Sequence, residues 1–294
     1  MTNSTSFAGI QNLSAALADL VAGVAPSIVA IRSDCSRSSG FVWRPGLIVT
    51  ADEALTEENK FIVTLPGGNT VTAQPVGRDP TTDIALLRIE ADVRPLSLAG
   101  STVTTGALVV AVGAEDDTSS AAFGVVSRAS GPWRSLRGGE IDARIELDLR
   151  LRQCAEGSLV LNAGGNAIGM AVFGPRRRVL VIPATTIERV ASKLAAHGRI
   201  PRGYLGLGLQ PVVIEGGEGP GAMVMSVDPQ GPGALAGLHQ GDILLAWNGD
   251  PIRHVQALLR ALGPDSVGQT VTLRLRRAGD TQQVPITIVE RPAA

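Results

Sequence analysis

Val49-Thr50-Ala51-Asp52-Glu53-Ala54-Leu55 lies at the end of two apolar runs, Phe41-Val42-Trp43 and Leu47-Ile48-Val49, and opens into a polar loop. Two later stretches belong with it. Thr81-Thr82-Asp83-Ile84-Ala85-Leu86-Leu87-Arg88-Ile89 sets an acid at the start of an apolar strand. Arg152-Gln153-Cys154-Ala155-Glu156-Gly157-Ser158-Leu159-Val160 sets a polar loop in front of another. Short apolar runs that end in polar loops read as strands, and loops held by strands are where chemistry is usually placed.

The same rhythm extends outward from these stretches. Ser27–Ile31, Gly40–Trp43, Leu47–Val49, Phe61–Thr64, Thr70–Val76, Ala85–Ile89, Ala107–Val112, Ala121–Val126, Ile141–Leu147, Leu159–Leu161 and Ala167–Val172 are β-runs. Turn residues such as Pro66-Gly67-Gly68-Asn69 and Ala163-Gly164-Gly165-Asn166 punctuate them, which points to an all-β sandwich or barrel pair. Before them, Phe7, Ile10, Leu13, Leu17, Leu20, Val21 and Val24 recur at helical spacing, an apolar stripe expected to pack on its own domain. After them, a helix from about Ala184 to His197 leads to a Gly/Pro/Arg-rich linker. The remainder reads as a second unit with strands, a helix near Val255–Leu262 and a final β-pair.

Composition narrows the classes. With 44% hydrophobic and 18% charged residues the chain is globular. A net charge of -1 gives no footprint for nucleic acid or an anionic membrane. Only two lysines are present, so the positive charge is almost all arginine. Cys35 and Cys154 fall in no metal-ligand spacing and read as free thiols, and no cofactor or metal is expected. The start, Met1 to Phe7, lacks a basic n-region, and Asn12, Asp19 and Pro26 interrupt the one apolar candidate. As written the sequence shows no export signal or membrane span and reads as cytoplasmic, which leaves the true compartment open.

Val24 to Ile31, Ser39-Gly40-Phe41-Val42 and the three quoted stretches together resemble a trypsin-like serine protease of the HtrA/Deg family. The resemblance implies a mostly β chain: a helix over 1–23, a double β-barrel over 24–197, a linker over 198–203 and a PDZ domain over 204–294. The family's Val-Thr-Asn-Ala-His-Val-Val falls on Val49 to Leu55 and puts Glu53 at the histidine. Its Asp-Ile-Ala-Leu-Leu puts Asp83 at the triad acid, and its Gly-Asn-Ser-Gly-Gly-Pro-Leu-Val puts Ala155 at the nucleophile. Gln153 and Cys154 then occupy the oxyanion loop, Gln153 and Glu156 replace glycines, and Ser158 stands where proline is usual. An oxyanion hole needs backbone N–H groups in a tight turn, which side chains at those glycines disfavour.

One observation does not depend on alignment. The three histidines are His197, His239 and His254, so no imidazole precedes residue 197. Removing one member of a catalytic triad costs on the order of a millionfold in turnover. The expectation is therefore a proteolytically inactive chain, not an enzyme, with no intact catalytic residues. The rival is an active serine- or cysteine-type endopeptidase with an unorthodox site drawn from Asp83, Glu53, Cys154 or Ser158. A further rival is a purely structural oligomer subunit.

The second unit carries a longer signature. Gly233-Ala234-Leu235-Ala236-Gly237-Leu238-His239-Gln240-Gly241-Asp242-Ile243-Leu244-Leu245-Ala246-Trp247-Asn248-Gly249-Asp250-Pro251-Ile252 resembles the PDZ domains attached to HtrA proteases. Its Asn248-Gly249 step is a hairpin turn signal. The resemblance places a peptide-binding groove along Tyr204, Leu205, Gly206, Leu207, Gly208 and Leu209, walled by Val255, Leu258 and Leu259, with His254 at the helix start. Function is then expected through binding, as a scaffold, adaptor or regulator. The partners are C-terminal or extended peptides, further copies of the chain as a trimer, or active homologues.

Overall fold

The structure, a computed structural model, describes residues 4–33, 36–56, 60–98, 100–214 and 219–292. Cys35, read above as a free thiol, lies outside the described residues. The chain forms two units, Met1–Ile200 and Pro201–Ala294.

The first unit opens with helix α1 (Ser4–Val24) and holds two closed antiparallel barrels. In the first, β1 (Ile28–Arg32), β2 (Arg37–Arg44), β3 (Leu47–Thr50), β4 (Phe61–Thr64), β5 (Thr70–Asp79) and β6 (Ile84–Arg88) close in the order β1-β2-β3-β6-β5-β4. The second begins with β7 (Leu108–Glu115) and β8 (Thr118–Ser130), followed by a small hairpin of β9 (Trp133–Arg134) and β10 (Glu140–Ile141). It closes through β11 (Arg144–Asp148), β12 (Leu159–Asn162), β13 (Ala167–Phe173) and β14 (Val179–Pro183), in the order β11-β14-β13-β12-β7-β8.

β1, β3, β6, β12, β13 and β14 are apolar and buried at nearly every position because both of their faces are covered. Val29, Ile31, Val42, Ile48, Phe61 and Leu87 join a core made only of first-barrel residues. Their neighbours Ile28, Ala30, Phe41, Trp43, Val49 and Leu86 join a second core shared with Val110, Val112, Leu159, Leu161 and Met170 of the other barrel. Val109, Ala111, Val160 and Val181 form the interior of the second barrel. Alternate residues on one strand therefore serve different cores, as the two-residue repeat of a strand requires. Each fully buried Val, Leu or Ile contributes about 1.5–3 kcal/mol relative to exposure.

Helix α2 (Ala184–His197) buries Ile187, Val190, Ala191 and Leu194 against the shared core and ends at Gly198, whose left-handed φ of 71° caps it. On its outer face Glu188 accepts from Trp43 Nε1 at 2.6 Å and from Arg44 Nη2 at 2.5 Å, which ties the helix to β2. Helix α1 packs only its second half: Leu17, Leu20, Val21 and Val24 reach the shared core, while Phe7, Ile10 and Leu13 stay exposed. The expectation that the whole stripe packs on its own domain holds for that half alone. By length and apolar composition Phe7–Ser27 could cross a membrane, so Asn12, Asp19 and Pro26 do not disqualify it as expected from the sequence.

The run Ile141–Leu147, read as one strand, is broken. Asp142 N–H donates to Thr186 Oγ1 at 3.0 Å and its carboxylate accepts from Arg189 at 2.9 Å, which draws the chain onto α2 between β10 and β11.

The second unit pairs β15 (Gly203–Tyr204) with β22 (Val289–Glu290). Its main sheet runs β16 (Leu207–Ile214), β17 (Gly219–Val227), β18 (Ile243–Trp247), β20 (Thr270–Arg277), β21 (Asp280–Thr287), with β19 (Asp250–Pro251) on β18. Helices α3 (Pro232–Leu235) and α4 (Val255–Ala261) complete it. Asn248 and Gly249 both have positive φ, 49° and 89°, the geometry of a two-residue hairpin turn. Leu205, Ala222, Val224, Leu244, Leu258, Leu273 and Ile288 are among the residues of its core.

Candidate active site and peptide groove

Asp83 is placed by the turn before it. The buried carboxylate of Asp79 accepts from Thr81 N at 3.1 Å, Thr81 Oγ1 at 2.6 Å and Thr82 Oγ1 at 2.7 Å. This local network is the habit of Asp in turns. It delivers Asp83 in a left-handed conformation, φ 58°, rare for a residue that is not glycine. Asp83 Oδ1 accepts from Glu53 N–H at 2.7 Å, so the structure brings Glu53 and Asp83 together. The loop that presents Glu53 is fixed by Arg78, whose Nε meets Asp52 at 2.5 Å and whose Nη1 donates to Thr56 O at 2.9 Å.

Desolvation pushes the Asp83 carboxyl up to about 8, and the nearby charges of Glu53, Glu156 and Asp52 add to it against the opposing Glu53 N–H bond. Glu156 is likewise raised, first by burial, while its Oε1 accepts from Phe173 N–H at 3.1 Å. Glu53 is half exposed and ion-paired with Arg137 at 3.1 Å. Arg137 sits in the β9–β10 hairpin, which also holds the Asp83 turn through Ser135 Oγ donating to Thr81 O at 2.5 Å.

The loop carrying Ala155 is a single 3-10 turn over Gln153–Ala155. Ala155 N–H donates to Arg152 O at 3.0 Å and Glu156 N–H to Gln153 O at 3.1 Å, so both donors are used within the loop. Ser39 sews it to β2, N–H to Glu156 O at 2.8 Å and Oγ to Cys154 O at 3.0 Å. Glu156 lies at an ordinary extended φ of -62°, and the residue that needs glycine is Gly157, φ 86°, where a Cβ would sit 2.2 Å from Ser39 O. Ala155 itself is buried.

Two rescue nucleophiles fare poorly. Burial, the Glu115 charge and a hydrogen bond to Glu115 push the Cys154 thiol up, against a weaker pull from Arg152, so the thiol stays protonated. Ser158 is fully buried and its Oγ donates to Ala155 O.

In the second unit β16 is an edge of its sheet, and α4 lies against it. An edge strand with one unpaired side is the arrangement that accepts an added strand. Leu205 and Leu258 are core residues, Leu207, Leu209 and Val255 are partly buried, and Leu259 is exposed. Gly206 has φ 70° and Gly208 faces Ser226, where a Cβ would lie 2.3 Å from Oγ. Tyr204 donates its hydroxyl to Asp228 at 2.9 Å. His254 caps α4, its Nδ1 accepting from Ala257 N–H at 3.0 Å.

Sequence reasoning missed Asp79, Arg78 and Arg137. Asp79-Pro80-Thr81-Thr82 was a readable turn signal, whereas the reach of Arg137 across to Glu53 had no local trace. Among the described residues no group of His, Cys, Asp or Glu could hold a metal ion.

Residues 38–170 match the trypsin-like peptidase domain and residues 203–288 the PDZ domain. A probable periplasmic serine endoprotease DegP-like of Chlamydia trachomatis is 30% identical over 275 residues, covering 88% of this chain and 55% of that protein. A Brucella suis protein of the same description is 28% identical over 274 residues, covering 87% and 53%. The chain thus spans about half the length of the curated relatives it matches. The crystal structure of the serine endoprotease from Yersinia pestis is 27% identical, with a TM-score of 0.70 over 93% of this chain and 97% of that one. The HtrA-type protease AlgW with decapeptide shares the fold at 22% identity, TM-score 0.71, over 94% and 99%.

These relatives correct two expectations. The chain was expected to be inactive and not an enzyme, but its relatives are named as serine endoproteases and point to protease function. Substitution at residues 53 and 155 bears on which groups could act and does not by itself decide activity. The cytoplasmic expectation finds no support: the curated relatives are named as periplasmic, and α1 is an apolar N-terminal helix like a signal sequence. The chain carries an HtrA/DegP-type trypsin-like protease domain followed by a C-terminal PDZ domain.

Proposed function

We propose that the chain is an endopeptidase acting on extended polypeptide, captured along β16 of the PDZ unit and cleaved beside Glu53 and Asp83. The observation that carries this is the gathering of Glu53, Asp83 and Glu156, with the Asp83 carboxyl pushed up to about 8. A buried carboxyl that holds its proton, beside a carboxylate ion-paired with Arg137, forms an acid–base pair. Glu53 takes a proton from water as its oxygen adds to the scissile carbonyl carbon, and Asp83 gives its proton to the carbonyl oxygen. On collapse of the tetrahedral intermediate, the carbonyl oxygen returns its proton to Asp83. The C–N bond breaks, and the leaving amine takes the proton held by Glu53.

Peptide capture is supported by the exposed edge of β16 and by the peptide named with AlgW. The exposed Phe7, Ile10 and Leu13 favour assembly of several copies, and the relatives' naming favours an exported chain.

The test is turnover of unfolded casein by the full chain from about pH 4 to about pH 9. Cleavage that falls by about a hundredfold or more in Asp83→Asn supports the reading. No cleavage, or cleavage untouched by Asp83→Asn, overturns it. Loss of cleavage in Cys154→Ala would instead assign the chemistry to the thiol.

A further inference from the structure

Beside the 3-10 turn the second barrel opens into a cavity of about 690 Å³. Its apolar wall is Leu149, Leu151 and Phe173, and its rim carries Arg150, Arg152 and Arg177. The cavity adjoins the carboxylate cluster directly: Phe173 donates its N–H to Glu156 at 3.1 Å, and Arg152 is the residue before Gln153–Ala155.

The charges do not cancel. Arg152 pairs with Glu115 at 2.8 Å, and Asp148 is the one acid in the lining. Arg150 and Arg177 have no carboxylate within ion-pair distance among the described residues, and the charge of Arg177 acts at longer range on Glu156. Arg177 is stacked on the Phe173 ring, 4.6 Å from its centroid, so its fork is held over the apolar wall. The turn that presents it is strained: Arg176 and Arg177 are successive residues with left-handed φ of 59° and 57°. Two such residues in a row are unfavourable without glycine, and strain of this kind concentrates at ligand sites.

We infer that this cavity is a specificity subsite for an acidic side chain, Asp or Glu, of a bound extended peptide. Arg150 and Arg177 bind its carboxylate, and Leu149, Leu151 and Phe173 cover its methylene carbons. A guanidinium fork suits a carboxylate in a way that a lysine would not. This deepens the endopeptidase reading, on which its use in cleavage rests.

The test is fluorescence anisotropy of the full chain with labelled, C-terminally amidated alanine-rich peptides carrying one central Glu, Gln or Lys. Amidation removes the terminal carboxylate that the PDZ groove would otherwise capture. The Glu peptide is expected to bind about tenfold more tightly than the Gln peptide, with the advantage shrinking at high salt. In Arg150→Gln/Arg177→Gln the advantage falls below about twofold while circular dichroism shows the fold unchanged. Equal binding of the Glu and Gln peptides, or a preference that survives the double substitution, overturns the subsite. If casein is not cleaved but the preference and its loss in the double variant are both seen, the cleavage reading fails and the subsite stands as a binding site.

Discussion

Asp83 shows how much a single residue can carry. Its carboxyl ionises near 8 in the folded chain against an ordinary value of 3.8, so between those values the folded state holds a proton that the unfolded state has lost. Stability from this group is therefore highest below about 4 and declines as pH rises towards 8. Asp83→Asn should flatten that slope, read as melting temperature against pH, and wild type that melts at the same temperature across this range would contradict it. Gly157 sets a second limit. Gly157→Ala places a Cβ 2.2 Å from Ser39 O at a φ of 86°, and should cost about 3 kcal/mol or more by chemical denaturation. The acid at residue 83 was legible in the sequence from its place before an apolar strand. Which carboxyl of the Glu53–Asp83 pair is raised was not, because desolvation and three neighbouring carboxylates come from elements scattered over the chain.

At the scale of elements, the barrels were legible because strands buried on both faces write themselves as continuous apolar runs. The break in Ile141–Leu147 was not, since a residue pulled onto α2 by Thr186 and Arg189 leaves no mark in the local pattern. The oxyanion turn was legible only in part, and its Ala155 and Glu156 N–H groups are both used within the loop. Side chains at residues 153 and 156 were expected to conflict with the loop's backbone, yet the one left-handed position in it, 157, is a glycine. In the second unit the turn after α3 is pinned by Asp242. Its buried carboxylate accepts from Arg277 Nε at 2.8 Å and Nη2 at 2.7 Å and from His239 N–H at 2.8 Å. Burial opposes its ionisation, but Arg277 and the His239 N–H outweigh it and hold the carboxyl below the usual range. Arg277→Met strands that charge and should destabilise the PDZ unit by about 3 kcal/mol, measured by urea denaturation. An unchanged midpoint would show that the pair contributes nothing to stability.

For the whole molecule, each unit has its own core, and the second draws Leu205, Leu244, Leu258, Leu273 and Ile288 from 201–294 alone. Those residues expressed by themselves should fold and unfold cooperatively, and a non-cooperative transition would contradict the division. The division of labour was partly legible: a long PDZ signature and a barrel region without histidine could both be read. What could not be read was whether an absent imidazole means an absent activity, because acid–base chemistry depends on groups that only the fold assembles. The most direct measurement is casein turnover by the full chain beside its Asp83→Asn variant. Cleavage should weaken above about pH 8 as Asp83 ionises and be lost in the variant. No cleavage at any pH, or equal cleavage by both proteins, would refute the carboxyl pair as the cutting site.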